Sequence, residues 1–251
     1  MIIKIDGKEC TAQKGEYLLN VARRNGIEIP TLCHSDALPG IGSCRICIVE
    51  VVEKGRSRIV TSCIFPVMGE IEVLTNSKKI RDMRKTLLML YLARVPENET
   101  IKKLAKEYGA KVPQRFSVDK SEDCILCGLC VKACESLGSS AISTVNRGVT
   151  KKVSTPYDEP SKECIGCGSC AFVCPTNAIR IEEKNGIRTI WNKDFELVRC
   201  KKCGEYFATK EQIEYINKKK DFNLEDEMLC DKCKKKKAGE RLKDVFEDYK
   251  E

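Results

Sequence analysis

The chain has 251 residues, a formal net charge of +8 and seventeen cysteines, far more than ordinary usage at this length. It has no apolar signal segment, and no stretch reaches the roughly 18 apolar residues of a membrane span. We therefore expect a cytoplasmic protein without a membrane span, whose cysteines are metal ligands and not disulfides. The basic excess invites a nucleic-acid interpretation. However, four metal sites with four thiolates each would contribute roughly −8, which disfavours that class.

Residues 1–76 are predicted to form a mixed α and β domain. Apolar residues at helical spacing predict a short helix over Glu16–Arg24 that ends at Asn25-Gly26. Two hairpins and a helix around a cysteine loop indicate a ubiquitin-like β-grasp, the first part of an α+β chain. Cys10, which belongs to no cysteine set, is expected to be a buried thiol in a strand. The predicted strands are Met1–Ile5, Ile46–Val52, Arg58–Thr61 and Ile71–Thr75.

The first cysteine set combines three ligands on one loop with a distant fourth ligand. It consists of Cys33, Cys44, Cys47 and Cys63, with the spacing C-x10-C-x2-C-x15-C. A loop that wraps a [2Fe–2S] rhombus needs glycine where its backbone approaches sulfide, and Gly40 and Gly42 meet that need. We predict one [2Fe–2S] cluster here, with a zinc site or free thiols as the alternatives.

Residues 77–117 are predicted to be a helical connector. The apolar residues between Ile80 and Tyr91 recur at helical spacing, and Pro96 ends this helix. A second, more charged helix is predicted over Thr100–Tyr108 and is closed by Gly109. The segment contains neither histidine nor cysteine, so we expect no cluster in it.

Residues 118–190 contain an internal repeat of the pattern C-x2-C-x2-C-x3-C. In two-cluster ferredoxins the first three cysteines of such a run bind one cubane, and the fourth binds the other. The spacing predicts two [4Fe–4S] clusters, with Gly128, Gly166 and Gly168 giving room near the cores. One cluster is assigned to Cys124, Cys127, Cys130 and Cys174, and the other to Cys164, Cys167, Cys170 and Cys134.

Residues 191–251 contain two C-x2-C knuckles separated by twenty-six residues. The four cysteines are Cys200, Cys203, Cys230 and Cys233. Such a set is typical of a tetrahedral structural zinc ion in a small zinc-ribbon-like domain, and an iron site is the alternative. The lysine runs Lys218–Lys220 and Lys234–Lys237 are expected to be solvated faces. The other interpretations are nucleic-acid contacts and a basic patch that steers an acidic ferredoxin.

The segments PTLCHSDALPGIGSCRICIVEV and VNRGVTKKVSTPYDEPSKECIGCGSCAFVCPTNAI resemble the large iron–sulfur subunit of NADH dehydrogenase (complex I). Related domains occur in diaphorase subunits of NAD-linked hydrogenases, in iron-only hydrogenases and in NAD-dependent formate dehydrogenases. The resemblance covers Met1 to about Ile190. Family members usually insert a His/Cys-ligated [4Fe–4S] cluster, which residues 77–117 cannot hold. The single histidine, His34, is not in a family ligand position and is expected to be a surface residue or to lie just outside the ligand shell.

By this resemblance, the chain is an iron–sulfur electron-transfer subunit of a multi-subunit NAD(P)-linked oxidoreductase and has no catalytic residue of its own. Its expected partners are an FMN-containing NAD(P)H dehydrogenase-like subunit and a small thioredoxin-like [2Fe–2S] subunit. Ferredoxin is the expected acceptor if the complex performs flavin-based electron bifurcation. The alternatives are a subunit of an NAD-linked hydrogenase or formate dehydrogenase, and a standalone ferredoxin-like carrier.

Overall fold

The computed structural model describes residues 1–116, 122–219 and 228–248, with side-chain environments up to residue 242 in the last range. The fold class is mixed α and β, as predicted. In the described ranges no helix combines the length and the apolar character that a membrane crossing requires.

The first sheet has five strands in the order β2-β1-β5-β3-β4. β1 runs antiparallel to β2 but parallel to β5, which gives the mixed sheet of a β-grasp. Helix α1 (Leu18–Arg24) buries Leu18, Leu19, Val21 and Ala22 in the core beneath this sheet. Cys10 is buried in β2, as predicted. The strands are β1 (Ile2–Ile5), β2 (Lys8–Thr11), β3 (Ile48–Glu53), β4 (Arg56–Thr61) and β5 (Glu72–Leu74).

The connector consists of α2 (Lys78–Arg94) and α3 (Glu99–Glu107). The Ser77 hydroxyl caps α2 by accepting the Ile80 amide hydrogen, and the Asn98 side chain caps α3 in the same way. α2 ends just before Val95, because Pro96 disfavours a helical conformation in the residue that precedes it. Both helices were therefore predicted correctly, with α2 longer by a few residues at each end.

Each copy of the cysteine repeat begins a helix with a left-handed glycine. Gly128 precedes α4 (Leu129–Leu137) with φ 83°, and Gly168 precedes α5 (Ser169–Phe172) with φ 76°. A short hairpin, β6 (Ser143–Val145) and β7 (Lys152–Ser154), lies between the two copies. The repeat in the sequence therefore corresponds to a repeated turn-and-helix unit.

A second sheet has four antiparallel strands in the order β11-β10-β9-β8. β9 pairs with β10, so this sheet extends across residues 190 and 191, where the sequence analysis divides two domains. In the ranges that the structure describes, the sheet is followed by the helices α6 (Lys210–Lys219) and α7 (Asp231–Asp248). The strands are β8 (Glu182–Lys184), β9 (Ile187–Ile190), β10 (Lys193–Arg199) and β11 (Tyr206–Thr209).

Candidate metal centres

The first cysteine set comes together at one end of the first sheet. Cys47 directly precedes β3, Cys63 follows β4, and the thiols of these two residues are 3.3 Å apart at sulfur. Cys33 and Cys44 form a second hydrogen-bonded pair, and all four cysteines are buried. A tetrahedral metal with bonds of about 2.3 Å separates its sulfur ligands by roughly 3.8 Å. Two sulfur pairs therefore fit a cluster with two irons.

Each pair contains one thiol that ionises easily. The hydrogen bond with Cys33 lowers the pKa of Cys44 to about 6, and the hydrogen bond with Cys63 lowers the pKa of Cys47 to about 7. The same bonds, together with burial, raise the pKa of Cys33 and of Cys63. Metal ligation requires thiolates, so one sulfur of each pair is available near neutral pH.

The residues around Cys33 are also compatible with a bound [2Fe–2S] cluster. The side chain of His34 is 10% exposed, and its Nε2 lies 3.0 Å from Asp36 Oδ1. Its Nδ1 is buried without a hydrogen-bond partner among the described atoms, so it is a buried polar atom beside a candidate ligand. A Cβ on Gly40 would lie only 2.8 Å from the Cys63 carbonyl oxygen. Glycine is thus required where the loop crosses the segment that carries the fourth cysteine.

In the repeat, the last cysteine of each run lies near the first three cysteines of the other run. Burial raises the pKa of Cys127 to about 11, and the nearby charges of Cys174 and Cys124 contribute to this shift. Burial likewise raises the pKa of Cys170 to about 11, with contributions from Cys167, Cys164 and Cys134. Each fourth cysteine is therefore an electrostatic neighbour of the other run. A small cavity is lined by Cys134, Cys164, Cys167 and Cys170.

Tyr91 on α2 lies between the first cysteine set and the repeat. Its hydroxyl donates to the Cys44 carbonyl oxygen at 3.2 Å. Burial is the main cause of its raised pKa, and the charges of Cys44, Cys33 and Cys127 add to it. Cys33, Cys44 and Cys127 share one hydrophobic cluster, against which Tyr91 packs. The first two candidate centres therefore border one shared hydrophobic cluster.

The C-terminal cysteines form the most compact set. The sulfur atoms of Cys200, Cys203, Cys230 and Cys233 all lie within 4.8 Å of one another, as a single tetrahedral ion requires. Cys200 follows β10, and Cys233 lies in the first turn of α7. Gly204 follows the first knuckle with φ 75°, and its amide donates to the Cys200 carbonyl oxygen. This tight turn is what the sequence CKKCG favours.

Three side chains near the candidate centres were not singled out from the sequence. Arg84 is fully buried and donates to the carbonyl oxygens of Ile46 and Ile48, on either side of Cys47. Lys193 donates to the Cys164 carbonyl oxygen at 2.9 Å, and Trp191 donates to the Cys170 sulfur. The sequence did contain one indication that Trp191 lies in a turn. It is the only tryptophan of the chain, and it precedes an asparagine, a common turn residue.

Comparison with family models gives two matches. Residues 1–78 match the 2Fe-2S iron-sulfur cluster binding domain, and residues 117–181 match the 4Fe-4S dicluster domain. The two cluster types predicted for these regions are therefore confirmed. The assignment of individual cysteines to each cluster stays a prediction.

Comparison with curated proteins finds the NADP-reducing hydrogenase subunit HndD of Solidesulfovibrio fructosivorans, 30% identical over 71% of this chain and 36% of that protein. The NADPH-Fe(3+) oxidoreductase subunit alpha of Geobacter sulfurreducens is 33% identical over 70% of this chain and 24% of its own length. The chain thus spans about a third or less of these curated relatives. Among solved structures, a chain of an NAD+-reducing [NiFe]-hydrogenase in the H2-reduced state matches with a TM-score of 0.60 and 25% identity. That match covers 70% of this chain and 85% of the other. The family resemblance found in the sequence is confirmed by these relatives.

Proposed function

Because residues 1–78 and 117–181 belong to the 2Fe-2S cluster binding and 4Fe-4S dicluster domain families, we propose that this chain is the electron-transfer subunit of a multi-subunit NAD(P)-linked oxidoreductase. The observation that carries the proposal is the contiguity of the cysteine sets. Cys44 of the first set and Cys127 of the repeat belong to one buried apolar cluster, and Cys130 and Cys170 belong to the next. Such an arrangement suits a relay that excludes water between successive centres.

The chain contributes ligands, insulation and a fixed order of sites. In this proposal Cys33, Cys44, Cys47 and Cys63 hold the [2Fe–2S] cluster, and the two exchanged sets of the repeat hold the [4Fe–4S] clusters. Bound clusters supply one-electron storage, with potentials that depend on hydrogen bonds and solvent exposure around the sulfur atoms. The helices α2 and α3 close the space between the first set and the repeat, because Leu88 and Ile101 are completely buried there.

The partners are those that the family resemblance implies, and they belong to the proposal. A flavin subunit that oxidises NAD(P)H would exchange electrons with the [2Fe–2S] end, assisted by a small thioredoxin-like [2Fe–2S] subunit. Ferredoxin, or a hydrogenase or formate dehydrogenase subunit, would accept them from the [4Fe–4S] pair. The cytoplasmic location expected from the cysteine usage, and electron bifurcation with ferredoxin as acceptor, are parts of this proposal.

We further propose that Cys200, Cys203, Cys230 and Cys233 hold one zinc ion. Four thiolates fill a tetrahedral shell, so no position is left open for a substrate and the ion would have a structural role. The neighbouring backbone supports that role, because the Cys230 amide donates to the Cys200 sulfur at 3.3 Å. The metal would join the end of β10 to the start of α7.

The test is anaerobic purification of the tagged chain from its own cells, with metal analysis and mass spectrometry of the proteins that accompany it. We expect about ten irons and one zinc per chain, from one [2Fe–2S] cluster, two cubanes and one four-cysteine site. We also expect a flavin-containing NAD(P)H dehydrogenase-like subunit to co-purify. A chain that is isolated alone and does not restore NAD(P)H-dependent dye reduction would be a standalone carrier. About fourteen irons without zinc would reject the zinc assignment.

A further inference from the structure

The turn between β9 and β10 places a bulky residue in an unfavourable backbone conformation. Ile190 pairs with Lys193, so Trp191 and Asn192 are the two residues of the turn. Both have left-handed φ values, 53° and 56°. Two-residue hairpin turns of this kind favour asparagine, aspartate and glycine. A tryptophan at such a position is an outlier, and strained residues of this sort persist where surrounding contacts hold them for a function.

The contacts of Trp191 show what the strained conformation achieves. Its indole N–H donates to the Cys170 sulfur at 3.5 Å. The ring is half-buried and packs against a core cluster that contains Cys170 and Phe195. It also lines the cavity formed by the cysteines of the second set. The tryptophan therefore supplies both a hydrogen-bond donor and an apolar cover to a single candidate cluster site.

The other end of the turn adds a positive charge to the same site. Lys193 Nζ donates to the carbonyl oxygens of Ser161 at 3.1 Å and Cys164 at 2.9 Å. It also lies 4.8 Å from the centre of the Phe195 ring, so its stem and head are fixed. A cation beside a cluster with four thiolates favours the state that carries one more electron.

Among the described residues, the first copy of the repeat has no matching donor at its third cysteine, and the side-chain contact at a sulfur assigned to the first cubane is that of Thr176 Oγ1, 3.6 Å from Cys174. Cys130 occupies the position in the first run that Cys170 occupies in the second. Within the part of the chain that the structure describes, no side chain donates a hydrogen bond to the Cys130 sulfur, whereas the backbone bonds recur in both copies. The Ala141 amide donates to Cys134 at 3.2 Å, and the Ala178 amide donates to Cys174 at 3.3 Å.

We propose that Trp191 is a positioning residue that raises the reduction potential of the [4Fe–4S] cluster held by Cys134, Cys164, Cys167 and Cys170. A hydrogen bond to a ligand sulfur stabilises the negative charge that the cluster gains on one-electron reduction. The second cubane then holds an electron more tightly than it would without this hydrogen bond. This inference rests on the cluster assignment proposed above.

The test is a redox titration of the anaerobically purified, cluster-loaded full chain, followed by electron paramagnetic resonance. In Trp191→Phe the apolar cover remains but the N–H is lost. At the potential where the wild-type cluster is half reduced, we expect the ratio of reduced to oxidised second cluster to fall roughly three- to tenfold, the equivalent of one hydrogen bond. The signals of the other two clusters are internal controls. Asn192→Gly, an exposed change in the same turn, should leave every potential unchanged.

A second variant keeps the test open if Trp191→Phe fails to load its clusters. Because the chain has one tryptophan, growth on benzothienylalanine replaces this indole N–H alone with sulfur and preserves the shape of the side chain. The expected fall in the reduced fraction is the same. If both cubanes are present and neither variant shifts a potential, the inference is overturned and the relay proposal survives. If iron analysis shows fewer than two cubanes in the wild type, the relay proposal itself fails.

Discussion

The two copies of the cysteine repeat have the same spacing and the same local structure, but their surroundings differ. In each copy a left-handed glycine begins the helix, and an alanine amide donates to the fourth sulfur. The first copy packs against the connector, where Arg94 Nε donates to the Cys124 carbonyl oxygen at 2.7 Å. The second copy packs against the C-terminal sheet, where the Phe195 ring lies directly over Gly166. The cysteine spacing thus determines the local structure of each copy. Segments distant in sequence determine which side chains surround it.

The largest effect is expected from substitution of the fourth cysteine of either run. Cys174→Ser should remove the first cubane, and Cys134→Ser the second, so each variant should lose about four of ten irons. Because Trp191 donates to the Cys170 sulfur of the second set, its fluorescence should increase in Cys134→Ser and stay quenched in Cys174→Ser. Iron analysis and emission spectra of the anaerobic proteins check this. The opposite pattern of fluorescence would mean that each run holds its own cluster.

A smaller effect is expected from the apolar neighbours of each copy. Phe195→Ala should lower the free energy of unfolding by about 3–5 kcal/mol through the cavity it leaves beside Gly166. Leu88→Ala should cost about 2–5 kcal/mol on the side of the first copy. Anaerobic urea unfolding, with cluster release followed by electron paramagnetic resonance, should show a different cubane lost first in each variant. Phe172→Ala is the control, because that ring is 92% exposed.

Substitution of the buried Arg84 should affect the [2Fe–2S] site next to the connector and leave the second cubane unaffected. Arg84→Met removes the donors to the Ile46 and Ile48 carbonyl oxygens, which are then left buried without partners. We expect a loss of about 1–3 kcal/mol in the free energy of unfolding. The electron paramagnetic resonance spectrum of the [2Fe–2S] cluster should change, whereas that of the second cubane should stay the same. A spectral change confined to the second cubane would contradict the expectation that Arg84 acts on the [2Fe–2S] site.

The smallest effect is expected from loss of the hydrogen bond between α6 and α4. The Tyr215 hydroxyl donates to the Leu137 carbonyl oxygen at 2.7 Å, close to the surface. Tyr215→Phe should therefore cost only about 0.5 kcal/mol, at the low end for one hydrogen bond. Thr209→Val removes the neighbouring, more buried bond to the Ile165 carbonyl oxygen and should cost about 1 kcal/mol. Thermal unfolding of the two variants side by side measures the difference, and a larger loss in Tyr215→Phe would contradict the order.

The features that follow from local sequence were predictable. The connector helices have capping residues and a proline stop, and the cysteine sets are defined by spacing. The strands of the first domain were found because β-rich runs alternate with turn residues. Pairing between β9 and β10 across residues 190 and 191 was not foreseen, because the cysteine pattern suggested a boundary and nothing in the short strand β9 marks its partner.

Contacts between distant segments account for most of what the sequence did not reveal. Arg84 reads as one of many charged residues on a helix, and only the fold shows that Ile46 and Ile48 receive its hydrogen bonds. Likewise, the donor to Cys170 lies twenty-one residues away, on another element. Spacing identifies which cysteines can share a metal, but it contains no information on the side chains that surround them.

The exchanged grouping proposed for the repeat also has a consequence for biosynthesis. In that proposal Cys174 shares a cluster with Cys124, Cys127 and Cys130, but it follows Cys130 by forty-four residues. At roughly 5–20 residues per second, the ribosome needs about 2–9 seconds to add that stretch. Neither cubane can therefore be completed co-translationally from the first run alone. Seven thiols of the repeat precede Cys174, so the nascent chain exposes unmetallated thiols to oxygen or to a cluster-delivery protein before the last ligand is available, and assembly machinery would have to protect them during this interval.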